Sequence, residues 1–381
     1  MKKITWVNFL HIYQPPWQDR GIIEQVSIES YEYILTLLEK YNNFKVTLNI
    51  TGNLIEQLEE LRPDLIKRVQ FLFKKNKIEL TSSSKYHALL PLLPPEEIKR
   101  QIELNKEVLI KYFDFKKIKG FYLPEMAFNL KTAKIIKKLG FKYIILDQIN
   151  YKGKINNSIL YKIKNLGLIV IFRNRRISKS YPPEIIYNIL KNNKKEIIIT
   201  GTDGEIYGHQ HEDWQGYLEK ILKKNIKIKT ISQYIDTLVI EKEIVLRPGS
   251  WESTHIELKN KKPFVLWNNP YNKIHKLLWE LTNFSIFLNK KYKKDKNYKW
   301  SRLHLDKGLS SCSFWWASGR KLSAFSPLSW NPEIIDNGIE EIIRSIRSLN
   351  SATIKEKVKA EKIYANIKKV IWETHWKKYN K

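Results

Sequence analysis

Short runs of β-branched and aromatic residues recur along the first 200 residues with helical stretches between them, and this alternation constrains the fold more than any other feature. The runs are residues 4–10 (ITWVNFL), 45–50 (KVTLNI), 77–82 (KIELTS), 118–123 (IKGFYL), 142–146 (KYIIL), 167–172 (GLIVIF) and 195–200 (KEIIIT). They are nearly continuously apolar, as strands buried on both faces are. Helices are expected over 28–41, 53–75, 95–113, 130–139, 182–192, 213–224 and 230–239, with Pro94-Pro95 and Pro182-Pro183 marking two starts. Seven strands alternating with helices predict an α/β chain with a parallel sheet. From about residue 241 the pattern changes. A loop-like LRPGSWESTH leads into NKIHKLLWELTNFSIFLNKKY, an aromatic stretch from Cys312 to Trp316 and an amphipathic run over 333–378. The expected organisation is therefore an α/β unit over 1–240 and an all-helical domain over 241–381.

Composition removes several classes of function. Of 381 residues 43% are apolar, too many for a disordered chain. The single cysteine, Cys312, excludes a disulfide framework and a cysteine-based zinc site, and fits a reducing compartment. Met1-Lys2-Lys3 before an apolar run resembles a leader peptide. Asn8 and His11 interrupt that run, however, and QPPWQDR follows where small residues are needed for cleavage. Lysines break every longer apolar stretch, so a soluble, cytoplasmic protein with no membrane partner is expected. The formal charge of +29 invites polyanions, but the lysines are scattered over nearly every helix without a zinc-finger spacing or a basic arm. They read as solvated helix faces, and no specific nucleic-acid partner is expected.

In a barrel of alternating strands and helices, chemistry sits in the loops at the C-terminal strand ends. Those loops here are uniformly polar: His11 to Pro15, Thr51-Gly52-Asn53, Ser82 to His87, Pro124-Glu125, Asp147-Gln148, Arg173-Asn174-Arg175 and Thr202 to Glu205. Glu125 and Asp203 follow the fourth and seventh strands. Each alone is equally a helix cap or a turn residue, but two carboxylates across one rim suit glycosyl transfer, where one attacks the anomeric carbon and the other protonates the departing oxygen. Exposed aromatic faces bind pyranose rings. The candidates are Trp6, Trp17, Tyr86, Tyr122, Trp214, Trp251, Trp267, Trp315 and Trp316, each also suited to a core position. His209 and His211 could join Asp203 or His11 around a metal, although such pairs more often hydrogen-bond within a pocket.

Taken together, these motifs resemble glycoside hydrolase family 57, the α-amylase, 4-α-glucanotransferase and branching-enzyme group. His11-Ile12-Tyr13-Gln14-Pro15 is similar to its His-x-His-Gln-Pro signature. Ile78-Glu79-Leu80 with Tyr86-His87 resembles its second block, Phe121 to Ala127 its nucleophile region and Thr202 to His209 its proton-donor region. Residues 250–252, 263–281 and 311–318 resemble its C-terminal helical region. The resemblance implies a (β/α)7 barrel with a helical domain, and retaining chemistry on α-glucans without a required cofactor. Carried over by position, Glu125 is the nucleophile and Asp203 the acid/base. His11, Gln14, Glu79, His87, Tyr122, Arg173, His209, Trp315 and Trp316 are expected to contact substrate, with Trp251 and Glu252 reaching the pocket from the helical domain. Tyr13 replaces the signature's second histidine, Tyr122 a more usual tryptophan, and Asn174 and Lys179 the two acids of an FRDxxLSD stretch. These departures motivate an alternative, a carbohydrate-binding protein on an altered enzyme fold. His11, Asp203, His209 and His211 motivate another, a metal-dependent deacetylase or mannosidase. Hydrolysis, transfer and branching share one covalent intermediate, so the residues do not separate them; nor do they set the oligomeric state.

Overall fold

The computed structural model describes residues 4–191, 196–224, 226–321 and 328–379. Met1-Lys2-Lys3, the last residue of the helix expected over 182–192 and the first of the strand expected over 195–200 lie outside them. Two compact units emerge: one of the residues up to Gln14, Gln18–Lys85 and Leu90–His255, the other of Pro15–Trp17, Tyr86–Leu89 and Ile256 onward. Residues 241–255, which the change of pattern assigns to the helical domain, pack with the first unit.

Among the described residues the first unit carries ten strands: β1 (Thr5–Ile12), β2 (Val46–Ile50), β3 (Ile78–Ser82), β4 (Gly120–Tyr122), β5 (Tyr143–Asp147), β6 (Ile159–Ile163), β7 (Ile169–Arg173), β8 (Ile197–Asp203), β9 (Lys227–Lys229) and β10 (Ile240–Ile244). Their order is β10-β6-β7-β5-β4-β3-β2-β1-β8, with β9 also on β1. The seven expected strands are β1 to β5, β7 and β8, and every ladder among them is parallel. They curl into the (β/α)7 barrel. Among the described residues no ladder joins β7 to β8. Asn174 N donates to Ile199 O at 2.7 Å and Arg173 Nη1 to Gly201 O at 2.7 Å across that seam.

Alternation along β1 explains the two cores of this unit. Trp6, Leu10 and Ile12 face the surrounding helices and pack with Val46, Leu48 and Leu54. Val7 and Phe9 point into the barrel against Tyr122, Tyr143, Ile145 and Ile199. Burying one such Leu or Ile side chain contributes about 1.5–3 kcal/mol, so the barrel is held chiefly by these two layers.

Three strands have no counterpart in the sequence reading. β6 pairs antiparallel with β7, and β10 lies parallel beside β6. Both interleave lysine or glutamate with isoleucine, which reads as solvated chain. The helix expected over 53–75 is two, Gly52–Leu61 and Pro63–Lys74, because proline lacks an N–H and drives Arg62 out of the helical region (φ −142°, ψ 62°). The helix expected over 28–41 begins at Arg20 and contains a π-helical turn, Ser27–Tyr31.

Among the described residues the helices of the second unit are Lys273–Lys291, Tyr298–Gly308, Ser311–Trp316, Pro332–Ser348 and Ile354–Thr374, with a short turn His255–Lys259 at its start and a π-helical turn His375–Tyr379 after the last. The run expected over 333–378 breaks at residues 349–353, where Thr353 and Glu356 form a capping box that starts a new helix. Among the described residues no helix is long and apolar enough to cross a membrane.

Candidate active site

Because the barrel strands are parallel, their C-terminal ends share one rim, and the chemistry-bearing residues of the first unit gather there. Glu125 follows β4 in a single turn, Pro124–Met126, with left-handed backbone (φ 61°). A non-glycine residue held there costs about 1–3 kcal/mol, so its surroundings must fix it. They do: Trp251 N donates to Glu125 O at 3.1 Å, Trp251 Nε1 to Glu125 Oε2 at 2.7 Å, and Phe128 bridges Gly249. Those bonds explain why Trp251 and Glu252 belong to the barrel unit rather than to the helical one.

Asp203 ends β8, in register with His11 on β1. Burial raises the Glu125 carboxyl, and the Asp203 charge raises it further; the Trp251 N–H and the Arg173 guanidinium oppose this. Burial likewise raises Asp203, against Arg173 and with Glu252. Two carboxyls whose protonation is coupled in this way hold fewer charges at neutral pH than their number suggests, which keeps an acid available beside a base.

Arg173 is the local counter-charge. Its Nε donates to Asp147 Oδ2 at 2.7 Å and its guanidinium lies 4.8 Å from the Trp251 ring centre. Arg175 Nη1 donates to the other Asp147 oxygen at 2.8 Å. His11 is neutral: burial lowers it to about 3. Asn49 fixes its tautomer, since Asn49 Nδ2 donates to Thr81 O at 3.1 Å and Oδ1 accepts from His11 Nδ1 at 2.8 Å. The Tyr122 ring lies 4.4 Å from His11, 5.2 Å from Phe9 and 6.1 Å from Trp251, giving the site an aromatic wall.

A third carboxylate, Glu205, was missed as a site residue; the DGE spacing was the available signal. The one-turn helix Gly204–Ile206 swings it back, where Oε1 accepts from Tyr31 Oη at 2.6 Å and from Tyr13 N at 3.4 Å. Burial and the Asp203 charge raise it. The π-helical turn grips this loop at successive residues. Ser30 Oγ donates to Gly204 O at 3.0 Å, Tyr31 holds Glu205, and Glu29 Oε2 meets His209 Nδ1 at 2.5 Å. Gly208 (φ 110°) closes the contact, since a Cβ there would sit 1.9 Å from Glu29 O.

The other expected contacts divide. Gln14 Nε2 donates to Tyr31 Oη at 3.2 Å and so joins the Glu205 network. Glu79 does not reach the rim. It sits at the start of β3, the opposite end of the barrel, accepting from Tyr143 Oη at 2.7 Å, Thr47 Oγ1 at 3.1 Å and Ser232 N at 2.9 Å. His87, Trp315 and Trp316 belong to the second unit, where His87 Nδ1 meets Ser311 Oγ at 3.0 Å and the two indoles pack edge to face at 4.7 Å. The metal set is not assembled either. His209 is held by Glu29, the His211 ring lies 4.3 Å from Tyr181, and no group of three ligand residues forms among the described residues. Of the departures from the family pattern, Tyr13 stacks on His11 at 6.3 Å. Asn174 caps the turn Arg175–Ser178, its Oδ1 accepting from Ile177 N at 3.0 Å, a task aspartate also performs. Lys179 Nζ faces Glu252 Oε2 at 3.5 Å.

Residues 11–247 match the family model described as glycosyl hydrolase family 57. An alpha-amylase of Pyrococcus abyssi is 30% identical over 152 residues, 40% of this chain and 23% of that protein. A putative alpha-amylase of Methanocaldococcus jannaschii is 29% identical over 254 residues, 60% of this chain and 54% of that protein. This chain thus spans from about a quarter to about half of the length of these curated relatives. Among solved structures, a GH57-type branching enzyme of Pyrococcus horikoshii superposes with a TM-score of 0.70 at 16% identity, over 96% of this chain and 95% of that one. A 4-alpha-glucanotransferase of Thermococcus litoralis gives 0.71 at 18%, over 92% and 60%. At these identities the structural likeness is one of fold.

Proposed function

Because the chain belongs to glycosyl hydrolase family 57, we propose that it cleaves or rearranges α-1,4-linked glucans by a retaining, two-carboxylate mechanism. The observation that carries this reading is Glu125, fixed in left-handed backbone by Trp251 at the rim where Asp203 ends β8. Relatives named alpha-amylase and 4-alpha-glucanotransferase support the substrate class.

In the first step the Glu125 carboxylate attacks the anomeric carbon; the glycosidic C–O bond breaks and Asp203 gives its proton to the departing oxygen. The indole N–H of Trp251 on Oε2 orients the nucleophile and favours its ionised form. In the second step Asp203 takes a proton from water or from an acceptor hydroxyl, that oxygen attacks the same carbon, and Glu125 leaves. Two inversions give net retention. Neutral His11 donates or accepts hydrogen bonds to sugar hydroxyls without adding charge, and Arg173 stabilises the site after Asp203 has lost its proton.

Incubation with maltoheptaose, followed by mass analysis of chain lengths, tests the reading. Shorter products alone identify a hydrolase, and products both shorter and longer identify a transferase. Unchanged maltoheptaose at any enzyme concentration contradicts the proposal.

Lys179 gives a second test. Its cation faces Glu252, whose charge raises Asp203, so removing the cation favours protonated Asp203. Lys179→Met is expected to move the alkaline limb of the activity profile up by roughly half a pH unit, and Glu252→Gln to move it down. Coincident profiles for all three proteins would reject the coupling.

A further inference from the structure

Glu125 keeps its aim only while Trp251 stays in place, and Trp251 sits on a segment with no regular structure of its own. Residues 245–254 follow β10 as a loop, so groups outside the loop must hold the indole. At the leading end Arg247 N donates to Asn150 O at 2.9 Å and Arg247 Nε to Ile149 O at 2.7 Å, while Asn150 Nδ2 reaches Arg247 O and Gly249 O, each at 3.2 Å. At the trailing end Arg175 Nη2 donates to Ser253 O at 2.8 Å. Ser253 Oγ accepts from Ser250 N at 2.8 Å, which closes the turn that carries Trp251.

Both ends trace back to one carboxylate. Asp147 is fully buried at the end of β5. Its Oδ1 accepts from Ile149 N at 2.9 Å, capping the turn Gln148–Asn150 that holds the leading end, and from Arg175 Nη1 at 2.8 Å. Its Oδ2 accepts from Arg173 Nε at 2.7 Å, and that guanidinium lies against the Trp251 ring. One buried carboxylate with one cation would be an ordinary ion pair. Here a second cation spans from the carboxylate to a backbone carbonyl two residues beyond Trp251, a reach that uses the separate N–H arms of a guanidinium. Arg173 still neutralises Asp147 if Arg175 is removed, so the loss of Arg175 leaves no bare buried charge.

We propose that Arg175 is a positioning residue for the nucleophile: braced on Asp147, it holds the Ser250–Ser253 turn so that the Trp251 N–H stays on Glu125. This role rests on the reading of Glu125 as nucleophile, and it goes beyond that reading by giving a cation outside the reacting pair control over how the carboxylate is aimed. Arg175 stands at a position that the FRDxxLSD pattern leaves open, so the motif gives no reason to single it out.

The test uses the full chain and kinetics on maltoheptaose across pH for wild type, Arg175→Met, Arg175→Lys, Trp251→Phe and the double variant of Arg175→Met with Trp251→Phe. Loosening the loop in Arg175→Met is expected to lower kcat about tenfold while KM changes by less than about twofold. The acidic limb of kcat/KM should move to higher pH, because the indole N–H favours the ionised carboxylate. Asp203, Glu252, Arg173 and Tyr122 also face Glu125 and are present in every variant. Arg175→Lys keeps the charge but not the two-armed span, so it should resemble Arg175→Met; wild-type behaviour of the lysine protein overturns the proposal. In the Trp251→Phe background Arg175→Met should cost nothing further, because the bond through which it acts is already gone. Additive losses overturn the proposal as well. If the wild-type protein turns over no glucan, the activity reading fails instead, and the Trp251 indole decides the positioning separately. Its Nε1–H resonance in protein carrying isotopically labelled tryptophan, identified by its absence from Trp251→Phe, should exchange with solvent about tenfold faster in Arg175→Met. Equal exchange in the two proteins overturns the role.

Discussion

The Glu125→Gln protein is expected to lose glucan cleavage by about 10⁴-fold or more, because without a carboxylate at that position no covalent glycosyl intermediate forms. The substitution is nearly isosteric, and the amide oxygen still accepts from Trp251 Nε1, so the left-handed turn at Pro124–Met126 keeps its anchor. It also removes one of two carboxyls that disfavour each other's charge. The thermal midpoint should therefore hold or rise while activity disappears, and reducing-end release together with a melting curve checks both. An inactive protein with a much lower midpoint would point to lost structure, and an active one would remove Glu125 from the chemistry. In Glu125→Ala, azide should restore turnover of an aryl α-maltoside with inverted configuration, since the small anion attacks once from the face the carboxylate occupied.

Asp203→Asn is expected to cost about 10² to 10⁴-fold on glucans, the usual range for a positioned acid/base. The loss should depend on the leaving group, because a sugar alkoxide needs a proton on departure and an activated phenolate does not. With the aryl donor the first step should survive and the second become limiting, so a burst of phenolate followed by a slow phase is the expected trace. Azide should accelerate that slow phase and give a product of retained configuration, the opposite stereochemistry to that from Glu125→Ala. Equal losses on both donors would assign Asp203 to substrate binding rather than proton transfer. Its position in register with His11 on the adjacent strand explains why it stays placed in the variant: the ladder between β1 and β8 spans Thr5 to His11 and does not depend on the side chain.

Barrel strands were legible because burial on both faces leaves an apolar run with little else in it, as in YIILD and IVIFR. β6 and β10 were illegible because charged residues interrupt their apolar runs: IEKEI, at the sheet edge, is exposed over its first four residues, and ILYKI, next to it, is largely buried but carries a lysine. The break at Arg62-Pro63 follows from proline stereochemistry, which interrupts the apolar periodicity running from 53 to 75. In the candidate site, Glu125 and Asp203 stand out in the sequence because each lies at the C-terminal end of an apolar run. Trp251 could not be placed by pattern, since it reaches Glu125 through a loop 126 residues away in sequence. Glu79 misled because a motif match says nothing about which end of a strand a residue occupies; at the second position of β3 it lies at the far end of the barrel. Glu205 is held by Tyr31 at the end of the π-helical turn Ser27–Tyr31, which apolar spacing does not distinguish from an α-helix.

The central claim is that Glu125 becomes covalently glycosylated. The most direct measurement is peptide mass mapping after incubation with a 5-fluoro-α-glucosyl fluoride, whose intermediate forms faster than it breaks down. One hexosyl adduct confined to the peptide carrying Glu125, absent from Glu125→Gln and lost on chase with maltotriose, is the predicted result. An adduct on another carboxylate, or unlabelled protein that turns over glucan with inversion at the anomeric carbon, would contradict it.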